Sequence, residues 1–271
     1  MSPGLDSLAT WPGTHRAAGW VTADGRRGVA GDSVRAFALA SVTKLLTAVS
    51  VLVAVQEEVV ALDEPSGPPG STVRLLLCHA SGLPFEGDQP IAPPGRRRVY
   101  GNAAYELLGQ LVAARSGLPF ETYVGEAVLV PLGMEGTLVD GSPAHGARAT
   151  VEDLLRLADE LLRPGRVLDP EVLAEATTPQ LPELDGVLPG FGPQRPNPWG
   201  LGFEVKGAKA PHWTPPEAAP QTFGHFGQSG AFLWVDPKAG IACAAACDHP
   251  FGEWARQAWP QLGSDVLHAG R

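Results

Sequence analysis

The chain has 271 residues, enough for one large domain or two small ones, and its 44% of apolar residues can form a sizeable core. A formal net charge of −9 leaves no extended basic surface, so we expect neither nucleic acid nor a membrane as a partner. The first twenty residues lack the basic and apolar regions of a secretory signal, and the longest apolar run is too short to cross a bilayer. The cysteines Cys78, Cys243 and Cys247 have no metal-ligand spacing and are expected to be buried thiols in a reducing compartment, which predicts a cytoplasmic location.

The first half of the chain predicts one β-hairpin followed by helices. Strand-like runs flank Asp24 and Gly25 within residues 17–32, and an apolar helix follows from Ser41. Residues 71–84 predict a short helix, and residues 102–134 predict two helices, the first ended by Gly117. A further helix is expected to begin after Thr150, whose side chain is a candidate N-cap.

The second half predicts a loop, antiparallel strands and one helix. Residues 178–198 are Pro-rich and read as a long loop, whereas residues 199–207, 221–237 and 240–250 are strand-like. Residues 252–270 predict a C-terminal helix in which Pro260 is a candidate break. The element order predicts an α+β fold, with an antiparallel sheet from roughly residues 1–60 and 199–271 and an inserted all-helical part from roughly 61–198, as a single domain over 1–271.

The segment from Phe37 to Val55 places Ser41 and Lys44 where the apolar helix begins. Residues three apart on a helix share a face, so the amine lies beside the hydroxyl. A serine hydroxyl becomes nucleophilic when a neighbouring base takes its proton, and a lysine desolvated by an apolar helix has a lowered pKa that suits this task. The alternative is structural, since serine is a common helix N-cap and lysine side chains often extend to solvent.

Two further stretches contain related motifs, Tyr100-Gly101-Asn102 and His225-Phe226-Gly227. Together with Ser41-Val42-Thr43-Lys44 they follow the order and approximate spacing of the three motifs of serine β-lactamases and penicillin-binding proteins. The flanking segments "LLLCHASGLP", "PLGM" and "WGLGFEV" agree with that pattern. Over roughly residues 15–250 the chain therefore resembles the β-lactamase-related serine hydrolases, which include class C β-lactamases, D-Ala-D-Ala carboxypeptidases and β-lactamase-like esterases.

The resemblance implies a role for each residue of the first two motifs. Ser41 matches the nucleophile that forms an acyl-enzyme, and Lys44 matches the lysine that hydrogen-bonds it and shares in proton transfer. Tyr100 matches the general base, expected as a phenolate held by nearby cations. Asn102 matches the amide that contacts Lys44 and the acyl side of the substrate. The implied fold is that of the serine β-lactamases and penicillin-binding proteins.

The third motif is implied to form one wall of the substrate cleft. His225 and Gly227 match its ends, and the oxyanion hole is expected to consist of the backbone N–H groups of Ser41 and Gln228. Phe226 stands where the family often has threonine, whose hydroxyl helps to hold a substrate carboxylate. A phenyl ring cannot do this, so the motif favours neutral acyl groups.

The expected partner is a small-molecule ester, amide or lactam, and no metal or other cofactor is expected. An intracellular carboxylesterase is the first hypothesis, because Phe226 and the lack of an export signal argue against a cell-wall substrate. A β-lactamase or D-Ala-D-Ala peptidase, an acyltransferase, and a non-catalytic module that binds an acyl ligand are the alternatives. The natural substrate and the oligomeric state stay open.

Other conspicuous residues are assigned structural places. His79 is expected to be a structural histidine in a turn, and Arg96, Arg97 and Arg98 are expected to lie in a solvated loop. The Pro-rich stretches 193–198 and 211–220 could border the cleft, and Trp213 with Phe226 could form an apolar acyl pocket.

Overall fold

The computed structural model describes residues 2–270. Its strands are β1 (Arg16–Thr22), β2 (Arg27–Gly31), β3 (Phe37–Ala38), β4 (Leu138–Val139), β5 (Ala147–Ala149), β6 (Gly186–Leu188), β7 (Gly192–Gln194), β8 (Glu204–Val205), β9 (Phe223–Gly227), β10 (Ala231–Asp236) and β11 (Ile241–Cys247). Its helices are α1 (Thr43–Gln56), α2 (Val73–Leu77), α3 (Ala103–Ser116), α4 (Phe120–Val124), α5 (Val130–Leu132), α6 (Val151–Leu162), α7 (Pro170–Thr177) and α8 (Glu253–Ala269). Short 3₁₀ turns cover Asp6–Thr10 and Ala40–Val42, and a π-helical turn, Gly125–Leu129, joins α4 to α5.

A six-stranded antiparallel sheet is built from both ends of the chain. Its strand order is β2-β1-β11-β10-β9-β8, so the N-terminal hairpin pairs with the C-terminal strands. Trp20 lies opposite Cys243, and Cys243 lies opposite Trp234, which fixes the register of the three central strands. The predicted α+β fold with an antiparallel sheet and flanking helices is confirmed.

Both faces of this sheet are buried, and alternation along the strands separates two cores. On β10, Leu233 and Val235 join the core that contains α1 and α6, whereas Phe232 and Trp234 join a second core with α8. Because successive side chains of a strand point to opposite faces, a sheet covered on both sides has no polar face. This explains why the last strands read as continuous apolar runs.

The helix after Ser41 is buried along nearly its whole length, as its sequence predicts. Helix α3 ends at Gly117 in a left-handed conformation, and the Thr150 side chain accepts a hydrogen bond from the Asp153 N–H at the start of α6, as expected. Helix α6 packs against the central strands of the sheet, although it falls within the segment predicted as the helical part. The boundaries of that part stay a prediction.

One local prediction is wrong, and one predicted helix is present without its candidate break. The Pro-rich stretch 178–198 contains the hairpin β6–β7, because Gly190 and Gly192 adopt positive φ and allow the chain to reverse tightly. The predicted C-terminal helix is present as α8, and it continues through Pro260, which is half-exposed. The buried Trp259 and Val266 hold its apolar face on the sheet, and solvent can hydrate the carbonyl that loses its N–H partner.

Cys78, Cys243 and Cys247 are buried and unpaired. Within residues 2–270, no helix is both long and apolar enough to cross a membrane. The same residues contain no group of three or more potential metal ligands.

Candidate active site

Ser41 lies in a tight turn that contacts strand β9. The 3₁₀ turn Ala40–Val42 precedes α1, so Ser41 sits just before the helix and not in its first turn. Ala40 has a φ of 43°, a left-handed conformation that costs roughly 1–3 kcal/mol for a residue other than glycine. The strain is located directly beside the candidate nucleophile.

Gly227 permits the close approach of β9 to this turn. A Cβ atom at residue 227 would lie 2.2 Å from the backbone oxygen of Leu39 and 3.3 Å from the Cβ of Ala40. The backbone oxygen cannot move without moving the turn. Glycine at position 227 therefore allows the end of β9, which is followed by Gln228, to lie close to the turn that carries Ser41.

Lys44 is fully buried and is held by fixed acceptors. Its Nζ lies 2.7 Å from Asn102 Oδ1, 3.1 Å from the Ala144 carbonyl oxygen and 3.4 Å from Ser41 Oγ. The oxygens of Asn102 and Ala144 can only accept hydrogen bonds, so Nζ must donate to both. In a neutral amine both N–H bonds are thus committed, and the lone pair is left for the serine hydroxyl.

The electrostatic environment favours that neutral amine. Burial lowers the pKa of Lys44 to about 7, and the carboxylate of Glu106 acts in the opposite direction. Glu106 also accepts a hydrogen bond from Ser142, whose hydroxyl in turn accepts one from the Ala144 N–H. A substantial fraction of the lysine is therefore a free base near neutral pH.

The ring of Tyr100 lies close to Lys44 and to His79. Its ring centroid is 5.1 Å from Lys44 Nζ and 4.7 Å from the ring of His79. Burial raises the pKa of Tyr100, and its interaction with the Ser41 side chain opposes the rise only in part. The free protein therefore favours a neutral phenol, in contrast to the phenolate expected from the resemblance.

His79 and His225 flank Tyr100 as neutral rings. Burial lowers the pKa of His79 well below its usual value, and burial with the charge of Lys44 lowers the pKa of His225 to about 3. His225 Nδ1 lies 2.7 Å from the carbonyl oxygen of Phe226, so this nitrogen carries the proton. His225 is consequently not a cation at physiological pH.

The peptide between Gly227 and Gln228 is oriented by the turn that follows β9. The Gly230 N–H donates to the Gly227 carbonyl at 3.1 Å. Because the carbonyl and the N–H of a trans peptide point in opposite directions, the Gln228 N–H points away from this hydrogen bond. Within residues 2–270 the Gln228 N–H has no hydrogen-bond acceptor. It and the Ser41 N–H are the two donors predicted to bind an oxyanion.

An inner cleft of about 280 Å³ opens beside Ser41. Of the predicted site residues, Tyr100, His225, Phe226 and Gln228 line it with Ser41, while Lys44 and Asn102 lie behind the nucleophile. The remaining lining residues, which the sequence did not single out, are Phe85, Leu188, Pro189, Trp199 and Glu204.

Glu204 is the one carboxylate among the described residues that line the inner cleft, and it forms a buried ion pair with Lys209. Burial raises its pKa, but the charges of His212 and Lys209 together hold it below the usual range. Its oxygens also accept hydrogen bonds from Trp213 at 2.8 Å and from His212 at 3.0 Å. No lysine or arginine lines this part of the described structure.

Two expectations about neighbouring residues need correction. Arg98 is buried, and its guanidinium donates to backbone carbonyls that include those of Cys78 and Gln180, so only Arg96 and Arg97 are solvated. Trp213 does not line the inner cleft but packs behind Phe226, with ring centroids 5.7 Å apart. His79 lies in a turn, as expected, with a φ of 57°.

Known proteins resemble this chain in sequence. The beta-lactamase family model matches residues 12–267. A beta-lactamase from Pseudomonas fluorescens is 27% identical over 196 residues, covering 56% of this chain and 55% of that protein. This chain thus spans about half the length of the curated relatives it matches.

Solved structures extend the likeness over the whole chain. A beta-lactamase from Mycobacterium bovis is 50% identical, covers 98% of this chain and 99% of its own, and superposes with a TM-score of 0.96. EstCE1, described as a hydrolase with promiscuous acyltransferase activity, shares the fold at 16% identity, with a TM-score of 0.78 over 97% of this chain and 95% of its own.

Proposed function

This chain belongs to the beta-lactamase family of serine hydrolases, and from that premise we propose that it is a carboxylesterase that forms an acyl-enzyme on Ser41. One observation carries the choice of ester. Within the described residues, the inner cleft beside Ser41 is apolar, and its one carboxylate, Glu204, is already paired with Lys209, so no lysine or arginine that lines the cleft is free to bind a substrate carboxylate. A substrate carboxylate bound there would lose its hydration without gaining a cationic partner, whereas a neutral acyl group has no such cost.

Acylation begins with the lone pair of Lys44. The amine takes the proton of Ser41 Oγ, and Oγ forms a bond to the ester carbonyl carbon. The carbonyl oxygen becomes negative and is stabilised by the N–H groups of Ser41 and Gln228. The bond to the alcohol oxygen then breaks, and the proton on Lys44 passes to that oxygen.

Tyr100 assists the departing oxygen as a neutral phenol. Its raised pKa keeps the hydroxyl protonated, so it can donate a hydrogen bond to the alkoxide as the bond breaks. Deacylation runs the same steps with water. Lys44 takes a proton from water, the hydroxide oxygen attacks the acyl carbon, and the bond to Ser41 Oγ breaks as that oxygen regains its proton.

A β-lactamase is the second candidate, because the Mycobacterium bovis protein named as one is 50% identical over nearly the whole chain. The two candidates differ in the charge of the preferred substrate. β-Lactams carry a carboxylate next to the reacting amide, and Phe226 and the neutral His225 provide no partner for it.

Steady-state kinetics on a neutral p-nitrophenyl ester and on nitrocefin tests the proposal. We expect kcat/KM for the ester to exceed that for nitrocefin by at least about a hundredfold, since an unpaired buried charge costs several kcal/mol. Ser41→Ala should abolish both activities and labelling by a fluorophosphonate. Nitrocefin turnover equal to that of the best ester would favour the β-lactamase, and unchanged labelling of Ser41→Ala would overturn the nucleophile.

A further inference from the structure

The inner cleft beside Ser41 continues outward as a second groove. This outer groove has a volume of about 360 Å³ and shares Phe85, Tyr100 and Pro189 with the inner cleft. The inner cleft alone lies at the lower end of the volumes of small-molecule sites, which run to about 1,000 Å³. A short ester occupies the inner part and leaves the outer groove unused.

The outer groove is lined by exposed apolar side chains. Phe85, Ile91 and Val187 are 52%, 66% and 46% exposed. They are half of the large apolar residues that the described part of the chain exposes to solvent, the others being Val34, Val130 and Leu138. Such clustering at the mouth of a reactive cleft is typical of a surface that binds an apolar ligand.

The outer groove ends at a positively charged region. A further region of about 400 Å³ shares Arg97 and Val187 with the outer groove and is also lined by Arg96, Arg195 and Asp185. Asp185 lies 3.8 Å from Arg195. Within residues 2–270, the guanidinium groups of Arg96 and Arg97 have no carboxylate or carbonyl partner. In a chain of net charge −9 this end of the groove is locally positive.

The position of Tyr100 indicates which part of a substrate enters the outer groove. In the proposed acylation step, Tyr100 donates to the departing alcohol oxygen, and its ring also lines the outer groove. The alcohol portion therefore extends along Phe85 and Val187 toward Arg97, while the acyl group stays beside Phe226.

We propose that the natural substrates are esters of an elongated apolar alcohol whose far end carries an anionic group. The apolar stem lies in the outer groove, and the anion pairs with Arg96, Arg97 and Arg195. This inference rests on the proposed esterase function and adds the chemistry of the leaving group to it.

A series of acetate esters of para-alkylphenols tests the proposal. The alkyl chains end in a carboxylate, a carboxamide or an ammonium group, so the reacting bond and the leaving-group basicity stay the same. We expect kcat/KM to be highest for the carboxylate, by about two- to fivefold for each arginine engaged, and the advantage to vanish at high salt. Arg96→Gln and Arg97→Gln should each lower the ratio of kcat/KM for the carboxylate ester to kcat/KM for the carboxamide ester.

Matched variants separate the groove from general effects. Arg35→Gln removes another exposed arginine that lines none of these regions and should leave the carboxylate preference unchanged. Ile91→Ser should lower kcat/KM only for those esters whose alkyl chains are long. Val34→Ser is its control, because Val34 is another exposed apolar residue that lies outside the groove. Equal rates for carboxylate and carboxamide esters, or a preference that survives both arginine variants, would overturn the inference.

The outcomes also distinguish this inference from the proposed function. If Ser41→Ala loses cleavage of the neutral short ester but the terminal charge has no effect, only the inference fails. If the wild type cleaves none of the esters, both fail. A stronger preference when the carboxylate is moved to the acyl side would overturn the assignment of the outer groove to the alcohol.

Discussion

Burial of Lys44 makes the stability of the protein depend on pH. Its pKa falls from 10.5 to about 7 on folding because the ammonium form is desolvated. Between these pH values the unfolded chain holds a proton that the folded protein has released, so the free energy of unfolding rises with pH in this window. Below pH 7 Lys44 is protonated in both states, and burying its ammonium group lowers the free energy of unfolding by roughly 5 kcal/mol. Above pH 10.5 this destabilisation is absent, because the amine is neutral in both states.

Lys44→Met isolates this contribution, because methionine keeps the apolar stem and removes the titrating group. From about pH 6 to about pH 9, the free energy of unfolding of the wild type minus that of the variant should increase by roughly 3 kcal/mol. Urea denaturation at several pH values measures this difference, and groups common to both proteins cancel.

A difference that stays constant over this pH range would refute the depressed pKa of Lys44 and the role of its amine as base. The activity of the wild type provides a second readout of the same titration. With a neutral ester, kcat/KM should rise with pH and reach half of its plateau near pH 7, because the free amine is the reactive form.

The remaining predictions concern the surroundings of the same site. Glu106→Gln removes a charge that raises the pKa of Lys44, so the rising limb of the kcat/KM profile should move to lower pH, while an unmoved limb would exclude this coupling. Gly227→Ala introduces a Cβ atom 2.2 Å from a backbone oxygen in the turn before Ser41 and should lower kcat by about 10²-fold or more. Its control, Gly125→Ala, meets no atom within 4 Å, and equal rates for the two variants would contradict the reasoning. Phe226→Thr removes a ring packed among four aromatic residues and should lower the free energy of unfolding by about 3 kcal/mol while raising nitrocefin turnover relative to ester turnover. Denaturant titration and paired kinetics measure both effects, and an unchanged turnover ratio would count against the role given to the phenyl ring.

The sequence was sufficient to predict the elements whose signals are local. The apolar run after Ser41 predicted α1, Gly117 marked the end of α3, and Thr150 marked the start of α6. The Asp24-Gly25 turn predicted the first hairpin, which the structure contains. These features depend on backbone propensity and capping within a few residues, so they are readable without a fold.

Other elements depended on contacts from distant parts of the chain. The Pro-rich stretch forms β6–β7, and α8 passes through Pro260, because packing against the rest of the protein outweighs the local preference. Arg98 was expected in solvent, yet the Cys78 and Gln180 carbonyls enclose its guanidinium. A charge next to two other arginines carries no sign of such enclosure in the sequence.

The sequence by itself determined the chemical groups available at the site: the three motifs supply Ser41, Lys44, Tyr100, Asn102 and His225. Only the tertiary structure decided their ionisation and their neighbours. Burial lowers the pKa of Lys44 to about 7 and that of His225 to about 3, and it raises that of Tyr100. Leu188, Trp199 and Glu204 were given no role by the sequence and still line the inner cleft. The reason is that desolvation and cleft shape arise from packing between segments far apart in the chain, which no local pattern encodes.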